Sequence, residues 1–402
     1  MKKILHELNY LKLKNILHIF VFIIALPLSI IYKIVLLFNS KKIWLVCEDE
    51  NEARDNGFCF FEYLNSVHQE IVSYYAISKK SSDWRKVDKV GKTVKYGGIK
   101  HWILYFNCKY NISSQKAGKP DAAICYVLEK FGVAKNKNVF LQHGITINKA
   151  EWLFYKNSNI RLFICGAKPE YEYIEKYFGY PNNYVKYTGF SRFDYYNNIN
   201  INKKQIVLMP SWREWIASKN EYSKKYEDTK DFCSTEYYKK YKSLINNEEL
   251  ARFLNCNNIT MYFYPHRNMQ KYIKYFDTKC DKIKIVTNKD IDIKSLLLES
   301  ALMITDYSSV AMDFAYMKKP VIYYQFDEKK FREAQYEKGY FDYRNDGFGE
   351  VVTDEDKVIT ILKKSFEDNF ILQPNFLKKH KTFFKLCDNK NNERIFKEIE
   401  KI

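Results

Sequence analysis

From Lys42 onward the chain repeats one local theme: a short apolar run ends in a polar cluster, and an amphipathic stretch follows before the next run. Ile43–Cys47, Phe58–Asn65 and Ile71–Ile77 open this series, and it continues to Leu162–Cys165. Runs that are apolar throughout suit strands covered on both faces, and helical segments between them predict parallel βαβ units. A polar stretch, Tyr195–Lys204, interrupts the series. A second series begins at Gln205–Met209 and passes through Thr260–Tyr264, Lys284–Thr287, Ala301–Thr305 and Val321–Tyr324. The pattern predicts an α/β protein of two doubly wound domains, 41–200 and 201–402, after a different N-terminal segment, 1–40. Sheets of this kind bind ligands beyond the carboxyl ends of their strands, so a ligand cleft between the two halves is expected. The Lys/Tyr/Glu-rich segment Glu221–Lys242 fits neither theme and reads as an exposed helical region or an acceptor-side insertion.

The N-terminal segment holds a long apolar run, Ile16–Phe38, broken by His18, Pro27 and Lys33. A spanning helix needs about 20 predominantly apolar residues, so the whole run is long enough while its clean centre, Ile19–Tyr32, is not. Lysines flank both sides, giving no orientation by charge. The pattern favours an interfacial membrane anchor over a true span or a buried or signal segment.

Composition narrows the class only a little. In 402 residues, 46% are hydrophobic and 17% aromatic, which excludes wholesale disorder. The net charge of +18 suits nucleic acid, anionic lipid or a phosphorylated substrate. The lysines are spread along the chain with no helix-turn-helix, zinc-finger or RNP signature, so no nucleic acid partner is expected. Nine cysteines without a C-x-x-C pair read as reduced, mostly buried thiols in a cytoplasmic protein, with neither a disulfide framework nor a zinc cage.

In an α/β protein the polar residues that close each apolar run carry the chemistry. Asn138–Leu141 leads into Gln142, His143 and Gly144, placing an imidazole beside a glycine that permits close backbone approach. Met261–Tyr264 leads into Pro265, His266 and Arg267, a pair suited to phosphate. Gly189 to Asp194 carries Arg192, and Met209 leads into Pro210, Ser211, Trp212 and Arg213. In Met303–Tyr324 a strand ends at Thr305-Asp306, Ser308 and Ser309 stand where a helix starts, and Pro320 precedes the next strand. Two hydroxyls at a helix N-terminus suit an anion, and equally suit a plain helix cap. The chain has no G-x-x-x-x-G-K-[ST], early G-x-G-x-x-G, H-E-x-x-H or G-x-S-x-G, so P-loop NTPase, simple dehydrogenase, zincin and α/β-hydrolase readings recede. Asp290-Ile291-Asp292 lies in a charged turn and is a poor metal motif, so no metal ligand is assigned.

Taken in order, Gln142-His143-Gly144, Gly189 with Arg192 and Asp194, Pro210 to Arg213, Pro265-His266 and Thr305 to Ser309 with Asp313 resemble the CDP-glycerol glycerophosphotransferase family of teichoic acid and capsule synthesis. Asp55-Asn56-Gly57 and Gly347 to Glu350 add to the resemblance, which covers most of residues 42–365. It implies a GT-B-like fold of two Rossmann-type domains and peripheral attachment to the cytoplasmic face of the membrane, an anionic surface. It further implies transfer of a polyol phosphate from a CDP-polyol donor to a lipid-linked glycan or growing polymer, with release of CMP and no cofactor assigned. By the resemblance His143 is the general base. His266, Arg192, Ser308 and Ser309 hold the diphosphate, Ser211, Trp212 and Arg213 lie near the donor, and Asp313 binds a donor hydroxyl or orients the phosphate loop. Gln142 and Ser211 stand where the family often has Trp and Thr, changes that keep the base, the hydroxyl and the arginine. Two other readings stay open: a GT-B glycosyltransferase using a nucleotide sugar, and a basic membrane-surface protein without catalysis.

Overall fold

Each of the apolar runs named above that patterns as a strand is one. The computed structural model describes residues 13–38, 42–196, 199–217 and 231–402. It divides into a first unit, Met1–Ile145 with Glu151–Tyr195 and Leu386–Ile402, and a second, Thr146–Ala150 with Tyr196–Lys385.

The first unit contains β1 (Ile43–Cys47), β2 (Val72–Ile77), β3 (Lys92–Lys95), β4 (Tyr110–Ser113), β5 (Lys137–Phe140), β6 (Leu162–Cys165) and β7 (Val185–Tyr187). They form one parallel sheet in the order β3-β2-β1-β4-β5-β6-β7. The second unit contains β8 (Asn202–Met209), β9 (Thr260–Phe263), β10 (Ile283–Ile285), β11 (Ser300–Thr305), β12 (Val321–Tyr324) and β13 (Gly349–Val352). Its parallel order is β10-β9-β8-β11-β12-β13. Each sheet steps outward from its first strand, then restarts on the other side of it. That reversal opens a crevice at the carboxyl ends of β1 and β4 in one unit and of β8 and β11 in the other. Burial on both faces explains the unbroken apolar runs: β1, β4, β6, β11 and β12 are buried at every position.

The N-terminal run is a single helix, Leu13–Leu37, that carries Pro27 inside it and is long and apolar enough to cross a membrane by length and composition. One stripe of it packs on the first unit. Val21, Phe22, Ala25, Tyr32 and Leu36 join a core with Trp102 and Phe106 of the helix Ile99–Asn107, and Ser29 accepts from Asn107 Nδ2 at 2.9 Å. The Phe22 ring lies 5.4 Å from that of Trp102, and His18 Nδ1 lies 3.1 Å from Asp121. The spacing of this stripe, three and four residues by turns, is that of a helix seam. The other stripe, with Leu17, Phe20, Ile23, Ile24, Ile30, Ile31, Ile34 and Val35, is more than half exposed along its length.

Two expectations are corrected. Residues 221–230 lie outside the described residues, but the end of the Glu221–Lys242 segment enters the helix Glu236–Ile245, whose Tyr237, Tyr241, Leu244 and Ile245 are buried in the second unit's core. The period of apolar and aromatic residues within the lysines marks a packed helix and not an exposed one. The helix Asn391–Glu400 belongs to the first unit, whereas the division at 200 assigned it to the second. Asp194 accepts from the amides of Asn391 and Asn392 at 3.0 and 2.8 Å, and Phe396 stacks on Trp44 at 5.4 Å. Gly189 lies beneath it at φ +77, where a Cβ would stand 2.1 Å from Asn391 Oδ1, so glycine is required twice over.

Candidate functional site

In the second unit the carboxyl ends of β8, β9, β11 and β12 hold Ser211, Trp212 and Arg213; His266 and Arg267; Ser308 and Ser309; and Asp327. These loops are tied to one another. The His266 amide donates to Pro210 O at 3.0 Å, the Ser211 amide to Asp306 Oδ1 at 2.9 Å, and Thr305 Oγ1 to Met209 O at 2.7 Å. The Trp212 and His266 rings lie 6.2 Å apart and nearly parallel, at 29°.

Beneath Ser211 lies a buried charge cluster. Arg213 is completely buried; its guanidinium meets Asp327 at 2.7 and 3.0 Å and Asp306 at 2.9 Å, and its remaining nitrogen donates to Ser211 Oγ at 2.9 Å. Burial opposes the charge, but the Asp306 and Asp327 carboxylates outweigh it and hold the Arg213 pKa well above its ordinary value. Asp306 also accepts from Tyr241 OH at 3.0 Å and Asp327 from Tyr307 OH at 3.1 Å. With its guanidinium spent in this way, Arg213 frames the Ser211 loop from below and has no N–H group left for an anion.

Above that frame, the helix after β11 starts at Ala311, two residues later than the serines suggest. Ser308 and Ser309 instead form the turn that precedes it: their carbonyls accept from Ala311 and Met312 at 3.2 and 3.0 Å, and Ser308 Oγ accepts from the Val310 amide at 3.3 Å. Among the described residues, the amides of Ser308 and Ser309 have no partner in the chain, and both residues are half-buried. Two unpartnered N–H groups with two hydroxyls are donors of the kind an anion requires. His266 stands on the neighbouring strand end, half-buried, with Nδ1 accepting from the Asn268 amide at 3.2 Å. That bond places the proton of the neutral ring on Nε2, which is then a donor. Arg267 is exposed. Asp313 is buried and accepts from Tyr196 OH at 2.7 Å, on the helix behind the loop.

In the first unit His143 is exposed and Gly144 half-buried, directly after β5. Arg192, buried, follows β7 and donates to Asp55 Oδ1 at 2.6 Å. Its guanidinium also lies 5.0 Å from the Phe190 ring. Between them a polar lattice supports the His143 turn. Asn56 Nδ2 donates to Gln142 O at 2.7 Å, and Gln142 Nε2 donates to Ile164 O at 2.7 Å and Glu170 Oε1 at 3.0 Å.

His143, Gly144 and Arg192 thus share one sheet edge, and Ser211, Trp212, Arg213, His266, Arg267, Ser308 and Ser309 share another. Asp306, Asp327, Tyr241, Asn56 and Glu170 were not singled out as site residues. Asp327 could have been, since it follows the apolar run Val321–Tyr324 by three residues; Tyr241 sits mid-helix and Glu170 in the first turn of the helix Lys168–Tyr177, where no strand-end signal marks them. Among the described residues no group of three His, Cys, Asp or Glu side chains is placed to hold a metal.

A family model described as CDP-glycerol:poly(glycerophosphate) glycerophosphotransferase matches residues 29–401. The minor teichoic acid biosynthesis protein GgaB of Bacillus subtilis is 32% identical over 389 residues, covering 93% of this chain and 41% of its own length. The teichoic acid glycerol-phosphate transferase of Staphylococcus aureus is 27% identical over 167 residues, 42% of this chain and 37% of that protein. The chain therefore spans less than half the length of these relatives. Among solved structures the wall teichoic acid polymerase TagF superposes with a TM-score of 0.62 at 15% identity over 90% of both chains. The UDP complex of Staphylococcus aureus MnaA gives 0.54 at 12% identity, over 90% of this chain and 96% of that one. At these identities the two structures attest the fold.

Proposed function

The chain belongs to the CDP-glycerol:poly(glycerophosphate) glycerophosphotransferase family, and on that premise we propose that it transfers a polyol phosphate, glycerol phosphate foremost, from a CDP-linked donor to an acceptor hydroxyl. The observation that carries the reading is the Ser308–Ser309 turn, with two unpartnered amides and two hydroxyls at the sheet's reversal point. Those groups, with the Nε2 proton of His266 and the charge of Arg267, suit the oxygens of a diphosphate. His143 takes the proton of the acceptor hydroxyl, and the freed oxygen forms a bond to the β-phosphorus. The bond from that phosphorus to the bridging oxygen breaks, and CMP departs with the oxygen. Charge that develops on the transferring group is met by fixed N–H dipoles, which need no rearrangement at the moment of reaction. Trp212 stands beside His266, its ring 6.2 Å from the imidazole, and Gly144 lets an acceptor approach the backbone beside His143. Arg192 and Asp313 act from behind, through Asp55 and Tyr196.

The acceptor proposed is a lipid-linked glycan or growing teichoic acid polymer at the cytoplasmic membrane face. Purified protein given such an acceptor should release CMP from CDP-glycerol or CDP-ribitol and leave UDP- and CMP-sugars intact. Turnover confined to a sugar nucleotide would instead establish a glycosyltransferase.

The apolar stripe of the helix Leu13–Leu37 supports membrane contact by lying in the interface: one side is occupied by the first unit and the other is left for acyl chains. A double change of Ile24 and Ile31 to Asp on the exposed stripe should move the protein from anionic vesicles to the soluble fraction with its melting temperature unaltered. Vesicle binding that persists in that variant would assign the contact to basic patches elsewhere.

A further inference from the structure

We infer that Asn56 is a positioning residue for His143, acting by clamping the peptide that joins Gln142 to His143; the inference rests on His143 being the base. Asn56 opens the helix Asn56–Val67 and is completely buried. Its Nδ2 donates to Gln142 O at 2.7 Å and to Leu141 O at 3.3 Å, 86 and 85 residues away, and its Oδ1 accepts from the Arg192 amide at 3.0 Å. One side chain thereby joins the segments after β1, β5 and β7. The carbonyl of Gln142 and the amide of His143 share a rigid plane, so a short bond to that carbonyl fixes the rotation at which His143 leaves the sheet edge.

That rotation is one the backbone does not choose freely. Gln142 has φ +59, in the left-handed region where a side chain with a Cβ is strained. Strain of this kind persists only where the surroundings over-determine it. Here they do: the Gln142 side chain is 1% exposed and bonded to Ile164 O and Glu170, while Glu170 Oε2 accepts from the Gly166 amide at 2.7 Å. The Asn56 loop is itself held by Glu48, whose carboxylate accepts from the amides of Arg54, Asp55 and Phe58 at 2.8, 3.0 and 2.7 Å. A fully bonded, buried residue thus stands immediately before an exposed imidazole. An amide side chain is needed at 56, because the site asks it to donate to one backbone and accept from another. An aspartate would set a carboxylate oxygen against the two carbonyls.

The test is a cycle of Asn56→Asp, His143→Ala and the double variant in the full chain, using CDP-glycerol, or CDP-ribitol if that is the donor turned over. N56D should lower kcat at least about tenfold, since misplacement of a base by an ångström costs catalysis on this scale. The donor KM should stay within about twofold, because Asn56 meets only the backbone amide of Arg192 and none of the second unit's groups suited to the diphosphate. In single turnover the double variant should lose no more than H143A alone. An equal loss in both backgrounds, or an N56D enzyme with parental kcat beside an inactive H143A, would overturn the positioning role. Parental turnover by H143A would overturn the base itself, a result the single variant reports separately. Should N56D not yield folded protein, Asn56→Ser carries the same expectation, because it removes the donor to the Gln142 carbonyl without setting a charge against it.

Discussion

His143→Ala is expected to lower turnover of a CDP-polyol by about 10²–10⁴-fold, the contribution of a positioned general base. CDP-glycerol binding should be nearly unchanged, since the groups suited to the diphosphate belong to the other unit of the chain. The acceptor hydroxyl is a poor nucleophile until its proton has somewhere to go, and the exposed imidazole on the Gln142 turn is the group offered. The amide, hydroxyl and Nε2–H groups around Ser308 and His266 would still stabilise the transferring phosphoryl, so a small residual rate is expected. CMP release followed alongside calorimetric binding of CDP-glycerol separates the two effects. Parental release in H143A would remove this residue from the chemistry and leave only the nucleotide site standing.

Asp327→Ala is expected to cost about 3 kcal/mol, the low end for breaking a buried pair, because Arg213 loses two charge-assisted hydrogen bonds but keeps Asp306 as its remaining counter-charge. In a unit of this size, where roughly 2–4 °C is lost per kcal/mol, the melting temperature should fall by about 6–12 °C. The reason is that Arg213 has no route to water: it is 0% exposed, and Asp327 takes two of its N–H groups. Replacing the whole cluster, with Arg213→Met, Asp306→Asn and Asp327→Leu, should recover much of the loss, because no unpaired charge then stays buried. An asparagine at 306 still accepts from the amides of Ser211 and Tyr307 through its oxygen and donates to Tyr241 OH through its nitrogen. Ser211 Oγ, however, loses its guanidinium donor, so catalysis should stay impaired while stability returns. A D327A protein that melted within 2 °C of the parent would show that the cluster is solvated or redundant. A scanning calorimetry trace for each variant decides this.

The candidate site was legible because of how parallel sheets are built. When every strand runs the same way, all carboxyl ends fall on one edge, so a polar residue that closes an apolar run is placed without knowledge of strand order. His143, His266, Ser211, Ser308 and Ser309 were found in this way. Side-chain direction was not legible. Arg213, read from its motif as lying near the donor, has its guanidinium turned down into Asp306 and Asp327, because those two carboxylates come from the ends of β11 and β12 and only the strand order brings them beneath it.

The sequence by itself determined the α/β class, the two series of strands, the strand-end residues and the apolar N-terminal helix, because each rests on local periodicity or on residues adjacent in the chain. Only the tertiary structure decided which strands neighbour which, that the helix Asn391–Glu400 returns to the first unit, and that Asn56 meets the turn before His143. It also decided that the N-terminal helix spends one stripe on Trp102 and Phe106 and keeps the other exposed. These are contacts between residues tens to hundreds of positions apart, and they follow from how whole faces are buried, which no local pattern encodes.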